Sequence, residues 1–342
     1  MVVAMNKNSG IQGLRAIAAS LVLLQHGIYF ACVAKGVDFQ PYLPIGFGGV
    51  GVGIFFVISG YVMTLCLPQG KMFMVQRIAR VYPAYWIAVV LSGLVLPLLG
   101  RPWSLDFYSL SLLPASSFNE NYAIPYWTLI YEMVFYGVMY ASILIGMSRK
   151  YLAYALTIWA FSIVITCQSN VHPGFSDYVG TITAGKWILL SPNNFMFIAG
   201  ALYGLIGQDV FKKLPPLSLS MHTATIFFIS QANIAMPFYF RFLMWGIAYV
   251  SVLDLVRSVR MPVFMERAGD YSYGLYLTHT IFIHVAMYVM VRFSPSAPLT
   301  LYFAMALGVP LVGGLAFGAM EFRFHASAIK AGLRRLQTKS QV

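Results

Sequence analysis

Charged residues are the scarcest class in this chain. They make up 9% of its 342 residues, whereas a soluble domain carries roughly a quarter. Acidic residues are the fewest, with 10 Asp and Glu against 22 Lys and Arg, while 59% of the chain is hydrophobic. This composition excludes an ordinary soluble domain. It indicates an integral membrane protein, in which hydrophobic runs of about 20 residues are interpreted as spanning helices.

Cysteine is also rare, and its placement gives no sign of a metal site or a disulfide framework. Cys32, Cys66 and Cys167 lie in or beside apolar runs without ligand or disulfide spacing, so we interpret them as packing residues and expect no metal. The sequence shows no internal repeat, soluble linker or signal-cleavage pattern. We therefore treat residues 1–342 as a single polytopic membrane domain, with the first apolar segment retained as an anchor.

Ten apolar segments predict an all-α membrane protein with about ten transmembrane helices. Strands are not expected, because each segment is long enough to cross the bilayer as a helix. The predicted spans are residues 11–34, 46–67, 81–99, 123–146, 151–168, 187–207, 217–231, 236–255, 271–292 and 299–322.

Lysine and arginine predict the orientation, because they are enriched in cytoplasmic segments. With the N-terminus inside, 16 of the 22 fall on the inner side, and Arg15 and Arg241 lie within spans. The four on the outer side are Lys35, Arg101, Lys186 and Arg292. This asymmetry predicts that both termini are cytoplasmic. It also explains the net charge of +12 as a topology signal rather than a nucleic-acid-binding surface.

The first span carries an arginine and a histidine on one helical face. In "GLRAIAASLVLLQH", Arg15 and His26 are eleven residues apart, which is about 20° past three full turns and about 16 Å of rise. Arg15 alone could snorkel to the interface, and His26 alone could bond to a neighbouring helix. Together they favour a functional site that is entered from the cytoplasm.

Two further spans contain ionisable groups. Glu132 is expected about 12 Å below the outer boundary, at a depth similar to that of His26 in a roughly 30 Å core. A carboxylate there would orient the imidazole. His279 is expected about 12 Å from the cytoplasmic side, as a site residue or a structural one, and His284 is interpreted as structural because it is turned by about 140° from His279.

Two neighbouring motifs suggest a ligand with phosphates. The stretch "GFGGVGVGIFFVISG" at 46–60 has five glycines in its first eight residues, so one side of that helix admits either a ligand or another backbone. Ser59 adds a hydroxyl to the same helix. Arg77 and Arg80 follow near the inner end of the third span, either as ordinary inner-side charges or as a phosphate clamp, because guanidinium forks match phosphate oxygens.

These motifs, in this order, resemble the acyltransferase-3 family of bacterial membrane proteins. The stretches that carry the resemblance are "IQGLRAIAASLVLLQH", "GVGIFFVISGYVM", "VQRIARVYPAYW", "YWTLIYEMVFY" and "SYGLYLTH". The resemblance implies transfer of an acyl group, usually acetyl, from cytoplasmic acyl-CoA to a sugar hydroxyl of an envelope glycan or its lipid-linked precursor. The opening motif and the stretch before the glutamate look most like members that acetylate exopolysaccharides.

The resemblance also implies roles for particular residues. Arg15 and His26 correspond to the family's essential pair, and Arg77 and Arg80 to its paired arginines. The phenylalanine-rich motif ends in Ser59 and Gly60. We assign catalysis to His26, Glu132 and Arg15, and acyl-CoA binding to Arg77, Arg80, Ser59, Gly60 and His279.

The chain departs from the family pattern in two places. Many members have Ser-Leu-Ser before the glutamate, whereas this chain has Thr128-Leu129-Ile130-Tyr131. Some members carry an additional extracytoplasmic domain that completes the transfer. None is expected here, so the membrane domain would perform all of the chemistry.

The implied mechanism leaves one chemical alternative open. The phosphates of acetyl-CoA would lie at the arginines, and its arm would follow the glycine face of the second helix to His26. His26 would then either deprotonate the sugar hydroxyl or carry the acetyl group itself, with Glu132 orienting the ring.

Two other functional classes were weighed against this interpretation. A transporter or flippase for a lipid-linked glycan would use the intramembrane His and Glu as a proton relay. Against it, no pair of interrupted segments occurs at matching positions in two halves. The membrane-bound O-acyltransferase class performs similar chemistry, but its asparagine and histidine signature is not recognisable.

Overall fold

The computed structural model describes residues 8–115, 118–169, 178–208, 213, 220–225 and 236–329. These ranges contain helices and no β-strand. Eight of the helices are long and apolar enough to cross a membrane, which confirms an all-α, multi-pass membrane protein. Together with one shorter apolar helix they are α1 (Ser9–Lys35), α2 (Phe47–Cys66), α3 (Met72–Val95), α4 (Trp127–Leu144), α5 (Arg149–Gln168), α6 (Asn194–Leu202), α7 (Phe238–Arg257), α8 (Val263–Phe293) and α9 (Leu299–Phe324).

The described connections contain only short helical pieces. Two are single α-helical turns, and the others are 3₁₀ or π turns. They are the α-turns Phe107–Ser111 and Tyr178–Ile182, the 3₁₀ turns Gln40–Tyr42, Leu67–Gln69, Pro97–Leu99, Glu120–Tyr122 and Gly185–Leu190, and the π turns Tyr203–Gly207 and His325–Ile329.

Helix α1 is capped at both ends. The side chain of Asn8 accepts the N–H of Ile11 at 2.9 Å, which satisfies one of the free amides of the first turn. The helix ends at Gly36, whose φ of 67° gives the left-handed cap that glycine adopts without strain. At its start, the Ser9 hydroxyl donates to the Glu266 carboxylate in the first turn of α8, so α1 and α8 begin at the same end.

We call the end of the bundle where α1 and α8 begin the inner end, and the opposite one the outer end. The last described span, α9, finishes at the inner end as well, because Glu321 near its C-terminus pairs with Arg80 in the first turns of α3. Both ends of the described chain therefore lie on one side. That this side is cytoplasmic remains a prediction from the lysine and arginine asymmetry.

Eight of the ten predicted spans correspond to long helices, with shifted starts. Helix α3 begins at Met72 rather than residue 81, and α8 at Val263 rather than residue 271. Both extensions are helical turns with charged side chains, which a hydropathy pattern does not count as a span. Helix α4 begins at Trp127 rather than residue 123, because Pro125 and the positive φ of Ala123 (47°) keep the preceding residues out of the helix.

The two remaining predicted spans, the sixth and the seventh, do not correspond to long helices among the described residues. The sixth, 187–207, is a 3₁₀ segment followed by the apolar helix Asn194–Gly207, which is shorter than the eight long helices. Most of the seventh, 217–231, lies outside the described residues. Gln208 bonds to Arg257 at the inner end and Tyr239 bonds to Gln168 at the end of α5, so the described residues on either side of it lie at opposite ends of the bundle. The count of ten stays a prediction.

Small residues set the closest helix contacts. Helix α8 packs most extensively against α9 and α1. A Cβ at Gly269 would overlap the carbonyl of Gln12 on α1, and one at Gly274 would overlap the backbone of Gly318 on α9. Without a hydrophobic driving force between helices in lipid, such close backbone approach is what holds them together. Helices α1, α8 and α9 therefore form one tightly packed unit.

Three glycines of α2 lie at contacts with neighbouring helices. A Cβ at Gly51 would overlap the carbonyl of Ala18 on α1, and one at Gly60 would overlap the carbonyl of Phe197 on α6. Gly53 faces the ring of Tyr249 on α7. At these three positions neighbouring helices occupy the face that the donor's arm was expected to follow. Gly60, assigned to acyl-CoA from the resemblance, instead lies at a helix–helix contact.

This packing gives a matched pair of variants. We expect Gly60→Ala to destabilise the bundle by about 1–3 kcal/mol, because the added methyl meets a backbone carbonyl and the helices must separate. Gly137→Ala on α4 has no atom within 4 Å of the new Cβ, so it should be neutral or stabilise through helix propensity. Thermal denaturation in detergent measures both. Equal melting temperatures would contradict the assignment of Gly60 to packing.

Candidate active site

A cavity on the inner side of the bundle collects most of the predicted site residues. It encloses about 900 Å³ of empty space, open solvent at its mouth included. Helices α1, α2, α3, α4 and α8 line it. Five of the eight predicted residues are on its wall: Arg15, Ser59, Arg77, Arg80 and Glu132.

Two polar atoms in this wall have no hydrogen-bond partner in the part of the chain that the structure describes. They are the Nε of Arg77 and the hydroxyl oxygen of Ser59, both buried. The other contacts of Arg77 are weak, namely a 3.6 Å approach to the Cys66 sulfur and the ring of Phe73 at 5.7 Å. A buried polar group left unpaired costs free energy. These two atoms therefore mark the place where a polar ligand is needed.

Arg80 differs from Arg77 in that it already has a partner. Its guanidinium forms an ion pair with Glu321 of α9, whose side chain is 5% exposed, and it stacks on the ring of Tyr273 at 5.0 Å. The two arginines, predicted as one clamp, therefore have different charge balances. Arg80 ties α3 to α9, whereas the guanidinium of Arg77 has no carboxylate partner among the described residues.

Arg15 and Glu132 both line the inner cavity. The carboxylate of Glu132 accepts the hydroxyl of Tyr136, one turn further along α4. Arg15 forms no hydrogen bond or ion pair with another described residue. The inner cavity thus contains three cations with one pairing carboxylate at Arg80 and one further acid, an arrangement that suits an anionic ligand.

His26 and His279 form a direct hydrogen bond above this cavity. The Nδ1 of His26 lies 2.8 Å from the Nε2 of His279, and the rings stack with centroids 5.0 Å apart. The predicted depth of His279 is wrong, because α8 begins at Val263. His279 is 16 residues into its helix, or about 24 Å, and His26 is 17 residues into α1, or about 26 Å.

The hydrogen-bond pattern fixes the tautomers of the two neutral rings. The Nδ1 of His279 faces two carbonyl oxygens, that of Tyr276 at 2.8 Å and that of Leu275 at 3.2 Å. Carbonyls only accept, so this nitrogen carries the hydrogen and Nε2 accepts. His26 then donates from Nδ1, and its own Nε2 keeps a free lone pair. This is the arrangement that a general base needs.

Glu132 does not contact His26. The two were expected at one depth, with the carboxylate orienting the ring. Thr128, one turn before Glu132, bonds to the hydroxyl of Tyr276 at 2.7 Å, and Tyr276 precedes His279 by three residues. Glu132 therefore lies closer to the inner end than the histidines, because α4 begins at the level of Tyr276, inside the bundle rather than at its outer boundary. His279 takes the position expected for the carboxylate.

A second cavity lies on the outer side of the histidine pair. His26 lines it together with residues of the segment between α3 and α4, including Arg101, Asn121 and Ile124. This segment is held down by Thr280 of α8, whose hydroxyl donates to the carbonyl of Ala123. The fold thus places His26 on the wall of an outer chamber.

Hydrogen bonds connect the walls of the two cavities. The Tyr276 hydroxyl lies 2.7 Å from the Thr128 oxygen and 3.1 Å from the carbonyl of Pro125. Tyr276 and Thr128 line the inner cavity, and Pro125 lines the outer one. Two chambers that differ in chemistry therefore approach each other beside His26 and His279.

Sequence reasoning missed several members of this site. Glu321 is a carboxylate inside the last predicted span, so the rule that singled out Glu132 would also have found it. Thr128 and Tyr276 carry no comparable signal, because hydroxyl groups are common in apolar helices. Only the fold brings Tyr276 to Thr128, which is 148 residues away in the chain.

Comparisons with known proteins agree with this architecture. The profile of a family described as an acyltransferase domain, acyltransferase-3, matches residues 8–317. The exopolysaccharide production protein ExoZ of Rhizobium meliloti (strain 1021) is 28% identical over 318 residues, covering 84% of this chain and 93% of that protein. Nodulation protein 10 of Rhizobium leguminosarum bv. viciae is 24% identical over 314 residues, covering 79% and 82%. No solved structure matches the chain significantly.

The family match covers nearly the whole membrane domain, including both cavities and the histidine pair. It bears out the resemblance that the five sequence motifs carry. The chain belongs to the acyltransferase-3 family of membrane acyltransferases.

Proposed function

We propose that this protein is an O-acetyltransferase of a bacterial cytoplasmic membrane, which transfers acetyl from acetyl-CoA to a sugar hydroxyl of an exopolysaccharide or its lipid-linked precursor. The observation that carries the proposal is the hydrogen bond between His26 and His279, which leaves the second ring nitrogen of His26, a residue that lines the outer cavity, without a hydrogen. The name of the relative ExoZ supports an exopolysaccharide as the acceptor. Membership of an acyltransferase family favours a transferase over the transporter alternative.

The inner cavity is the proposed donor site. The phosphates of acetyl-CoA would be held by Arg77, whose Nε is unpaired, and by Arg15. Ser59 offers a further unpaired hydroxyl on the same wall. Since Arg80 is tied to Glu321, its share in phosphate binding would be smaller, through charge rather than a free donor fork.

The proposed chemistry is direct transfer with His26 as the base. The Nε2 of His26 takes the proton of the acceptor hydroxyl as its oxygen attacks the thioester carbonyl. The carbon–sulfur bond then breaks, and the same nitrogen returns the proton to the leaving thiolate. His279 is a positioning residue, because its Nε2 holds the Nδ1 hydrogen of His26 and so keeps the other nitrogen available.

For the transfer, the thioester of a donor bound in the inner cavity has to reach the acceptor in the outer cavity. The hydroxyls of Tyr276 and Thr128 and the Pro125 carbonyl connect the walls of the two cavities. These are single hydrogen bonds between neutral groups, each worth roughly 1 kcal/mol. A bound donor could therefore part them at small cost.

Substitutions at His26 and at His279 should have different effects on the acetyl transfer rate. His26→Ala should lower glycan acetylation in cells by about 10²–10⁴-fold, the usual contribution of a general base. His279→Ala should lower kcat without changing acetyl-CoA affinity, and added imidazole should restore part of the rate by replacing the missing acceptor. Mass analysis of glycan from a deletion strain carrying each variant, and kinetics of the purified proteins, measure this.

Ile283→Ala is the control for His279, because Ile283 lies one turn further along α8 and is equally buried. It creates a comparable cavity and should show no imidazole effect. An unacetylated glycan in the wild-type strain would refute the proposed function. Full activity of His26→Ala would refute the catalytic assignment.

Substitutions at Arg77 and at the exposed Arg323 should differ in their effect on acetyl-CoA binding. Arg77→Gln should weaken acetyl-CoA binding about 10–100-fold, since a charge-assisted hydrogen bond is worth roughly 1.5–3 kcal/mol. Its residual affinity should fall less steeply with salt than that of the wild type. Arg323→Gln removes an exposed arginine at the same end and should leave affinity unchanged. Calorimetric titration of the detergent-solubilised proteins tests this, and equal affinities for Arg77→Gln and wild type would mean that Arg77 only sets topology.

A further inference from the structure

The outer cavity contains a cation that the proposed chemistry does not use. Arg101, in the segment after α3, lies on its wall with His284 of α8. The NH1 of Arg101 is 3.4 Å from the Nε2 of His284. Since a guanidinium only donates, this nitrogen of His284 is the acceptor, and the contact is long for a hydrogen bond.

Arg101 has no carboxylate partner among the side chains that the structure describes. Arg101 forms no ion pair with a described carboxylate, and the described lining of the outer cavity contains neither Asp nor Glu. In the inner cavity, by contrast, Arg80 has its carboxylate in Glu321. One long bond to a histidine leaves most of the five guanidinium N–H groups available.

The position of this cation relative to His26 suits an extended acceptor. Phe30 lies four residues beyond His26 on α1, or about 6 Å further out, and its ring meets that of His284 edge-on at 4.8 Å. Arg101 and His284 therefore lie outward of the catalytic nitrogen by a distance that one sugar residue can bridge. The rings of Tyr29, Phe118 and Trp127 line the space between, where they offer flat apolar faces to a sugar.

We propose that Arg101 and His284 form a subsite for an anionic group on the acceptor, a diphosphate or a sugar carboxylate, which positions a neighbouring hydroxyl at His26. This inference rests on the proposed function and adds the substrate class: the acceptor is an anionic glycan rather than a neutral one. His284, interpreted from the sequence as structural, holds the guanidinium over the cavity mouth. The planar fork of arginine matches the paired oxygens of either anion.

The experiment uses permeabilised membranes of cells that produce the full chain and its natural acceptor. Transfer of labelled acetyl from acetyl-CoA is measured with three competitors of equal tail length: decyl diphosphate, decyl glucuronide and decyl glucoside. At least one anionic competitor should inhibit at a concentration about 10–100-fold lower than the neutral glucoside, as one charge-assisted contact implies. The more potent of the two identifies the anion.

Three variants decide the assignment. Arg101→Gln should abolish the difference between anionic and neutral competitors, and Arg101→Lys should retain part of it. Arg292→Gln, which removes an exposed arginine further out on α8, should leave the difference unchanged. The inference is overturned if wild type shows no preference for an anion, or if Arg101→Gln keeps it. Failure of the proposed function is separate, because it appears as absent transfer before any competitor is added.

Discussion

The hydrogen bond between His26 and His279 is the contact on which both cavities depend. It requires α1 and α8 to lie parallel and close, and Gly269 allows this by meeting the backbone of Gln12 directly. Ser9 and Glu266 join the same helices at the inner end. Arginines line the inner cavity, and His26 lines the outer one. Two chambers that differ in chemistry thus lie along these two helices.

The division of charge between the chambers follows from how each arginine is balanced. Arg80 and Glu321 form an internal ion pair that joins α3 to α9. Arg80 therefore stabilises the packing of these helices as well as contributing positive charge to the inner cavity. Arg77 keeps an unsatisfied buried nitrogen, which the fold maintains at a cost that only a ligand would offset. Functional sites commonly retain such local costs, because the surrounding packing is able to stabilise them.

Much of the fold could be predicted from hydropathy, and the site only in part. Apolar length alone identifies the eight long helices, but α8 begins before its apolar run, in a turn containing Glu266 and Arg267. That early start carries His279 to the level of His26. Placing Glu132 beside His26 failed for a related reason, since α4 follows Pro125 and begins at the level of Tyr276 rather than at the outer boundary. Depth estimates of this kind depend on where a helix begins, which is set by turns and caps rather than by hydropathy. The pairing of Arg80 with Glu321 joins residues 241 apart, and no local pattern indicates it.

The tautomer of His26 tests this account most directly. Nitrogen-15 NMR of histidine-labelled protein in lipid nanodiscs distinguishes a protonated ring nitrogen from a free one, and single His→Gln variants assign the two signals. The account predicts that in the neutral pair both rings carry their hydrogen on Nδ1, with His279 accepting from His26 and the Nε2 of His26 unprotonated. A hydrogen on the Nε2 of His26 would contradict it, because that nitrogen could then not take the proton of an acceptor hydroxyl.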